Sequence, residues 1–356
     1  GLVGSEMCIR DRLIGVTLVS TIATGAASAK ETMNGALATR YSVDIVAMGD
    51  DISQQMVKDV ADINGVSDTL YAPAVSVTLE KADETQPTSA LLVGVKNIDQ
   101  VKQVMRANLG NASIDSDGVL MPTYNAQTGK ELQFANGTAD FSTEWNQDGD
   151  ATRSLTLQAN QADYRRVSAQ YGAVGFVDES HFTNGDLDAA THVLLVKADT
   201  DKSGVSVDGI YNDMQAALEK STDATVTGPI AERIVWAKMI DSMMMLLVGL
   251  IAVAVLIALV GVANTLSLSV IERTRESATL RAIGMTRGQL RASLAIEALL
   301  ISLVSGIAGI LLGTLFGWLG AYVVFSLYGT VVFPFEWGVN GIVLAVAAVA
   351  ASVSYT

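Results

Sequence analysis

Residues 243–270 read MMMLLVGLIAVAVLIALVGVANTLSLSV, and residues 271–291, which follow directly, read IERTRESATLRAIGMTRGQLR. The first stretch carries no charged side chain. About 20 apolar residues suffice to cross a hydrocarbon layer ~30 Å thick, so this stretch predicts a membrane-spanning helix. The second stretch is short and sets Arg273, Arg275, Arg281, Arg287 and Arg291 against Glu272 and Glu276. An arginine excess in a short loop beside a span marks the cytoplasmic side.

Working outward fixes the rest of the expected order. Downstream, residues 296–327 form a second long apolar stretch. Aromatic residues gather at its far end and beyond it (Tyr322, Phe325, Tyr328, Phe333, Phe335 and Trp337), as suits the opposite interface. Residues 328–338 are then an external turn, and 339–352 begin a further span that is cut short. Upstream, Gly228-Pro229 marks a change of character, proline being well placed in a helix's first turn. Residues 229–242 predict a stalk helix that runs into the first span, with Trp236 near its interface. Residues 271–295 are the cytoplasmic loop and short helix between the two spans.

The remainder divides in two. Residues 13–29 are apolar and rich in small residues, and predict part of a first transmembrane helix. The competing reading is a signal peptide, because Ala27-Ser28-Ala29 offers the small-x-small pattern of a cleavage site. Residues 30–228 read as a domain outside the membrane. Strands are expected near 43–48, 74–79, 91–95, 155–158, 192–197 and 224–227, with short strands between 119 and 141. Helices are expected at 52–63, 98–109 and 211–220. The fold class is thus an α+β extracytoplasmic domain plus an α-helical transmembrane bundle of four helices, the first and last truncated. Residues 1–12 resemble translated sequencing adaptor, and 353–356 resemble the start of another such piece. Both ends are read as foreign, and the natural chain is expected to extend past them.

Composition narrows the function. Of 356 residues 50% are hydrophobic, and the formal charge is −14. Most of that charge lies in the external domain, which makes nucleic acid a poor partner. Cys8 is the lone cysteine, so no disulfide forms within the chain. No segment matches the G-x-x-x-x-G-K-[ST] phosphate cradle. No nucleophile elbow is present, and the histidines, His181 and His192, lack metal-ligand spacing and are expected to be surface or strand residues. No two carboxylates are paired by spacing for acid–base work. Catalytic residues, metal ligands and directly bound cofactors are accordingly not expected, and the chain is not read as an enzyme.

One further pattern stands out. Gly306, Gly309, Gly313, Gly317 and Gly320 recur at steps of three and four, on one helix face. Such a run lets a second helix approach closely, either within the bundle or from a second copy. Asn264, near the cytoplasmic end of the first span, predicts an interhelical hydrogen bond.

Taken together, Asn264-Thr265-Leu266, Glu272-Arg273-Thr274-Arg275-Glu276, Leu280-Arg281-Ala282-Ile283-Gly284, Thr286-Arg287, Gln289-Leu290 and Glu297-Ala298 resemble the signature of FtsX-like permeases of the FtsX/MacB type. The order of parts agrees: one helix, a large external domain, then three helices. Ser277-Ala278-Thr279 depart from the pattern, where the family carries bulkier apolar residues. The resemblance implies a multi-pass protein of the bacterial plasma membrane, its large domain outside. It implies a separate ABC ATPase subunit as partner, with ATP reaching the system through that partner. Glu272, Arg273, Arg275, Glu276, Arg281, Gly284 and Arg287 would meet the ATPase, and a second permease copy or paralogue would complete the assembly in lipid. The function implied is coupling of ATP hydrolysis to external conformational change and export or extraction of a substrate. The alternative is a transducer that regulates an external cell-wall hydrolase.

Overall fold

The computed structural model describes residues 2–80, 87–145, 151–199, 204–253, 286–327 and 329–353. The chain divides into two compact units, one of residues Leu37–Val235 and one of Gly1–Ala36 with Trp236–Thr356. Residues 254–285, which hold the end of the first long span and most of the arginine-rich loop, lie outside the described residues.

Unit Leu37–Val235 is a mixed sheet with short helices against it. Its nine described strands are β1 Ile45–Gly49, β2 Val66–Glu80, β3 Thr88–Val95, β4 Gly118–Pro122, β5 Thr138–Trp145, β6 Ala151–Ala162, β7 Ala173–Asp178, β8 Thr191–Ala198 and β9 Thr225–Thr227. The order is β3-β7-β4-β6-β5-β2-β8-β1-β9, with an added β2–β3 pairing. Strand β2 is the hinge of this arrangement. Its first half, Val66 to Ala74, pairs with β8, whereas Ala74 to Leu79 pairs with β3 and Thr78 to Glu80 with β5. The pairings β2-β3-β7-β4-β6-β5-β2 therefore close into a ring of six strands. Leu79, Leu92, Val119, Met121 and Phe141, all almost fully buried, form one core cluster on these strands. A side chain at Gly175 would force its neighbours to shift, because a Cβ there would lie 2.6 Å from Met121 Sδ and 3.0 Å from Leu92.

The helices of this unit start where the sequence supplies a cap. Ser53 caps α2 (Gln54–Ala61), Asn97 caps α3 (Ile98–Val104) and Ser206 caps α5 (Val207–Ala217), each accepting a backbone N–H of the first turn. Gly65, at φ +100°, takes up the left-handed turn that follows α2. Helix α4 (Ser180–Thr183) is a single turn. Helix α3 ends at Val104 rather than at the expected Leu109. Met105 is already extended, because the Arg106 N–H donates to Ser42 O at 2.8 Å and draws the chain onto the segment before β1. Strand β7, absent from the sequence expectation, is a buried run pairing parallel with β3. Such strands show no alternation to read.

Unit Gly1–Ala36 with Trp236–Thr356 is helical. Helix α1 spans Leu2–Arg40 and so continues past Ala29, where the sequence expectation ended it. Helix α6 is continuous from Pro229 to Val253. Helix α7 spans Arg287–Phe325 and α8 Trp337–Val353. Three helical stretches among the described residues are long and apolar enough to cross a membrane: Leu13–Arg40, Pro229–Val253 and Leu299–Phe325. The apolar stretch of α8, Trp337–Val349, is shorter, so three of the four expected spans are candidates by length among the described residues, and the fourth, expected to be cut short, is a shorter apolar helix.

Candidate functional site

Asn264, Glu272, Arg273, Arg275, Glu276, Arg281 and Gly284 fall in 254–285 and lie outside the described residues. Arg287 is described as the first residue of α7. The preceding Thr286 builds a capping box. Its hydroxyl accepts from Gln289 N, and the Gln289 side chain accepts from Thr286 N. The Thr286 and Gln289 of the signature thus fix where α7 begins.

The glycines divide into three environments. A Cβ on Gly309 would lie 2.8 Å from Val16 Cγ1. On Gly313 it would lie 2.6 Å from both Ser20 Cβ and the Thr17 carbonyl oxygen, and on Gly317 it would lie 2.8 Å from Thr24 Cβ and the Thr21 carbonyl oxygen. These three form one groove on α7 that receives α1. Gly306 instead faces α8, where its Cβ would meet Leu344 Cδ1 at 2.8 Å. Gly320 has nothing within 4 Å.

What α1 presents to this groove has its own periodic signal in the sequence. Ser20, Thr24, Ser28 and Thr32 recur every four residues, and all four are buried. Small hydroxyl residues on one ridge and glycines on the facing groove are what close helix packing in an apolar solvent requires. Three of the hydroxyls tie α1 to its neighbours. Ser20 donates to Asn340 Oδ1 at 2.7 Å. Ser28 donates to the Val332 carbonyl, and Thr32 Oγ1 accepts from Val332 N at 3.0 Å. Trp318 Nε1 donates to Pro334 O at 2.9 Å, so the segment between α7 and α8 is held from two sides. Lys30 pairs with Asp241 and joins α1 to α6.

A second junction lies in unit Leu37–Val235, where the ends of α1 and α6 enter the sheet. Ile230 and Ile234 of α6 are buried in a core cluster with Ile45, Met56, Leu194 and Met214. Tyr41, just after α1, donates its hydroxyl to Glu232 of α6. The Arg166 guanidinium sits 5.5 Å over the Tyr41 ring, and Ser42 N donates to Arg166 O at 3.0 Å. Next to it Asp44, mostly buried, accepts from Arg106 Nε at 2.6 Å and from Ala198 N at 2.9 Å.

Burial first, and then the hydrogen bond to Glu232, push the Tyr41 phenol well above its ordinary value of 10.0. The unfolded chain sheds this proton near pH 10 while the folded domain retains it. The resulting stability is complete below about pH 10 and declines as pH rises above it. Replacing Tyr41 by Phe is expected to flatten the fall of the thermal midpoint between about pH 10 and 11.5. A fall as steep as in the unaltered protein would assign the sensitivity to another group.

His181 departs from expectation. It is a buried residue of α4, with Nδ1 3.0 Å from Asp186 Oδ2 and Nε2 2.6 Å from Ser116 O. His192 is a strand residue, its ring stacked on Tyr71 at 5.1 Å. The structure also brings together two carboxylates that spacing did not pair: Asp51 and Asp223 both bond the Ser221 hydroxyl. Hydrogen bonds from Ser221 and from the Thr222 backbone hold the Asp51 carboxyl well below the usual range. They fasten the loop before β9, and among the described residues no group of His, Cys, Asp and Glu side chains is assembled to hold a metal.

Residues 248–356 match the family described as FtsX-like permease C-terminal. Relatives include an uncharacterized ABC transporter permease of Methanocaldococcus jannaschii, 30% identical over 121 residues, which is 33% of this chain and 30% of the relative. The macrolide export ATP-binding/permease protein MacB of Brucella abortus is 32% identical over 141 residues, 38% of this chain and 22% of the relative. The chain thus spans less than a third of the length of these relatives. Among solved structures, the periplasmic region of MacB from Actinobacillus actinomycetemcomitans aligns over 55% of this chain and 94% of that one, at 11% identity and a TM-score of 0.29.

Proposed function

We infer, from the chain being an FtsX/MacB-type permease with that family's C-terminal domain over residues 248–356, that it couples a separate ABC ATPase to movement of an external domain and so drives export or extraction of a substrate. The observation that carries this reading is the arginine-rich segment set between two apolar stretches inside the matched domain. Arg287 belongs to that segment. Arginine also gives directional, charge-assisted contacts to acidic surfaces.

In this reading residues 271–285 and Arg287 face the cytoplasm and meet the ATPase, which alone binds ATP. Unit Leu37–Val235 lies outside the plasma membrane. Helices α1 and α6 carry motion to it: α6 runs unbroken from an apolar stretch into the core cluster that holds Ile230 and Ile234. Two permease copies, or this chain and a paralogue, would stand over a pair of ATPase subunits. The transducer alternative gains no support from the described residues.

The test is co-purification of the full-length gene product with an ATPase co-expressed from the neighbouring gene. Combining Arg281→Glu with Arg287→Glu is expected to abolish the complex while membrane insertion persists. Undiminished binding and ATPase stimulation by the inserted double variant would reduce the loop to a topology anchor.

A further inference from the structure

We propose that α1 and α7 share a seam with two registers, one helical turn apart, and that α1 slides between them towards its N-terminus by about 6 Å, the rise of four helical residues.

The seam repeats itself. A Cβ on Gly313 would meet the Cβ of Ser20, the carbonyl oxygen of Thr17 and the N–H of Thr21. A Cβ on Gly317 would meet the same three kinds of atom four residues further along α1: Thr24 Cβ, Thr21 O and Gly25 N. The groove on α7 and the ridge on α1 thus have one period, four residues, so a four-residue shift accompanied by a turn of α1 of about 40° brings equivalent atoms to the same places. After such a shift Ser20 would stand at Gly309, Thr24 at Gly313 and Ser28 at Gly317. Each is as small as, or smaller than, the residue it replaces or differs from it by a methyl group.

The hydrogen bonds give the slide a direction. In the register described, Ser20 occupies the bond to Asn340 Oδ1. The Thr24 hydroxyl and Asn340 Nδ2 are buried with no partner among the described residues. Moving α1 towards its N-terminus brings Thr24 to Asn340, giving that hydroxyl an acceptor, and brings Thr32 to the Val332 carbonyl in place of Ser28. Ala36 then replaces Thr32 at Val332 N, so one bond is lost. The displaced Ser20 can bond back to the carbonyl four residues earlier, as Thr21 already does to Thr17 at 2.7 Å. The opposite slide would set Val16 against Asn340 and leave its amide without a hydroxyl. Packed helices shift between discrete arrangements of this kind rather than deforming continuously.

The remaining contacts sort the helices into two pairs. Lys30–Asp241 joins α1 to α6, while Ser302 donates to Ala347 O at 2.8 Å and Gly306 faces Leu344, joining α7 to α8. The slide is of the first pair past the second. It rests on the proposed coupling only for what drives it.

Cysteine cross-linking of the full-length gene product in native membranes tests this, in a background from which any native cysteines have been replaced by serine. Ser20→Cys with Asn340→Cys reports the register described, and Thr24→Cys with Asn340→Cys the shifted one. Ser302→Cys with Ala347→Cys is the control for an intact α7–α8 pair. Both reporter pairs are expected to cross-link, the Thr24 pair rising at least threefold when the co-expressed ATPase is trapped with nucleotide. If both pairs cross-link but their ratio ignores nucleotide, the two-register seam stands and the coupling to an ATPase falls. If the control pair forms and either reporter pair never does, the two-register seam is wrong.

Discussion

Gly313→Leu is expected to cost the protein its packed helical unit. The added Cβ alone would lie 2.6 Å from Ser20 Cβ and from the Thr17 carbonyl oxygen. The second of these is backbone, which cannot rotate aside as a side chain can. Overfilling a packed site costs about 1–3 kcal/mol, and a backbone clash with three further carbons places this change at the upper end. Moving α1 away would also weaken the bonds from Ser20 to Asn340, from Ser28 to the Val332 carbonyl and from Val332 N to Thr32. The comparison is Gly320→Ala, a site with nothing within 4 Å. Thermal melting in detergent, followed by helical circular dichroism, should show a clear loss for the first and no resolved change for the second. Equal midpoints would mean that α1 does not lie in the α7 groove.

Asp44→Ala is the second large effect, in the other unit. Asp44 accepts from Arg106 Nε and from the buried Ala198 N–H with its two oxygens. Removing it leaves that N–H without its acceptor on β8 and a guanidinium without its carboxylate. Hydrogen bonds to charged groups are worth about 1.5–3 kcal/mol and an orphaned buried donor costs about 1–3 kcal/mol. Arg106 is about half exposed, so water recovers part of its loss, and a net cost of about 2–4 kcal/mol is expected. Asp44→Asn keeps one good acceptor and should lose roughly half as much. Denaturant midpoints of the three proteins would settle the order, and an Ala variant within about 0.5 kcal/mol of the parent would show that the carboxylate is not a structural tie.

The sequence carried the parts of this molecule that local rules govern. Ser53, Asn97, Ser206 and Thr286 each start a helix because a side-chain oxygen can reach the first turn. Gly228-Pro229 begins α6 because glycine there holds φ at +102° and proline suits the first helical position. What local rules do not govern was lost. The early end of α3 depends on a bond from Arg106 to Ser42, distant in sequence. His181 is buried by Asp186 and Ser116, and nothing in its spacing foretells the second of these. Closure of the ring depends on β2 changing partners at Ala74, which no alternation pattern records. The glycine run on α7 is legible as a periodic pattern, whereas its complement, a hydroxyl every four residues on α1, does not stand out from the generic small-residue content of that helix. The arginine-rich segment is the reverse case. It is the most informative stretch of the sequence, and all but its last residues lie outside the described ones.

The ring of six strands has a bearing on how the domain behaves among copies of itself. A strand whose edge is free invites another chain to pair with it. In this sheet β3, which would end the row, is joined to β2, which leaves β9, Thr225–Thr227, as the terminal strand of the row among the described residues, while Ala151–Leu157 of β6 pair only with β5. Three residues make a poor template, and the Thr225 and Thr227 hydroxyls are turned back onto Met48 O and Val46 O of the neighbouring strand. A protein confined to a membrane surface meets its copies at high local concentration, already aligned. There, the terminal strand of the row gives a neighbouring copy only three residues to pair with.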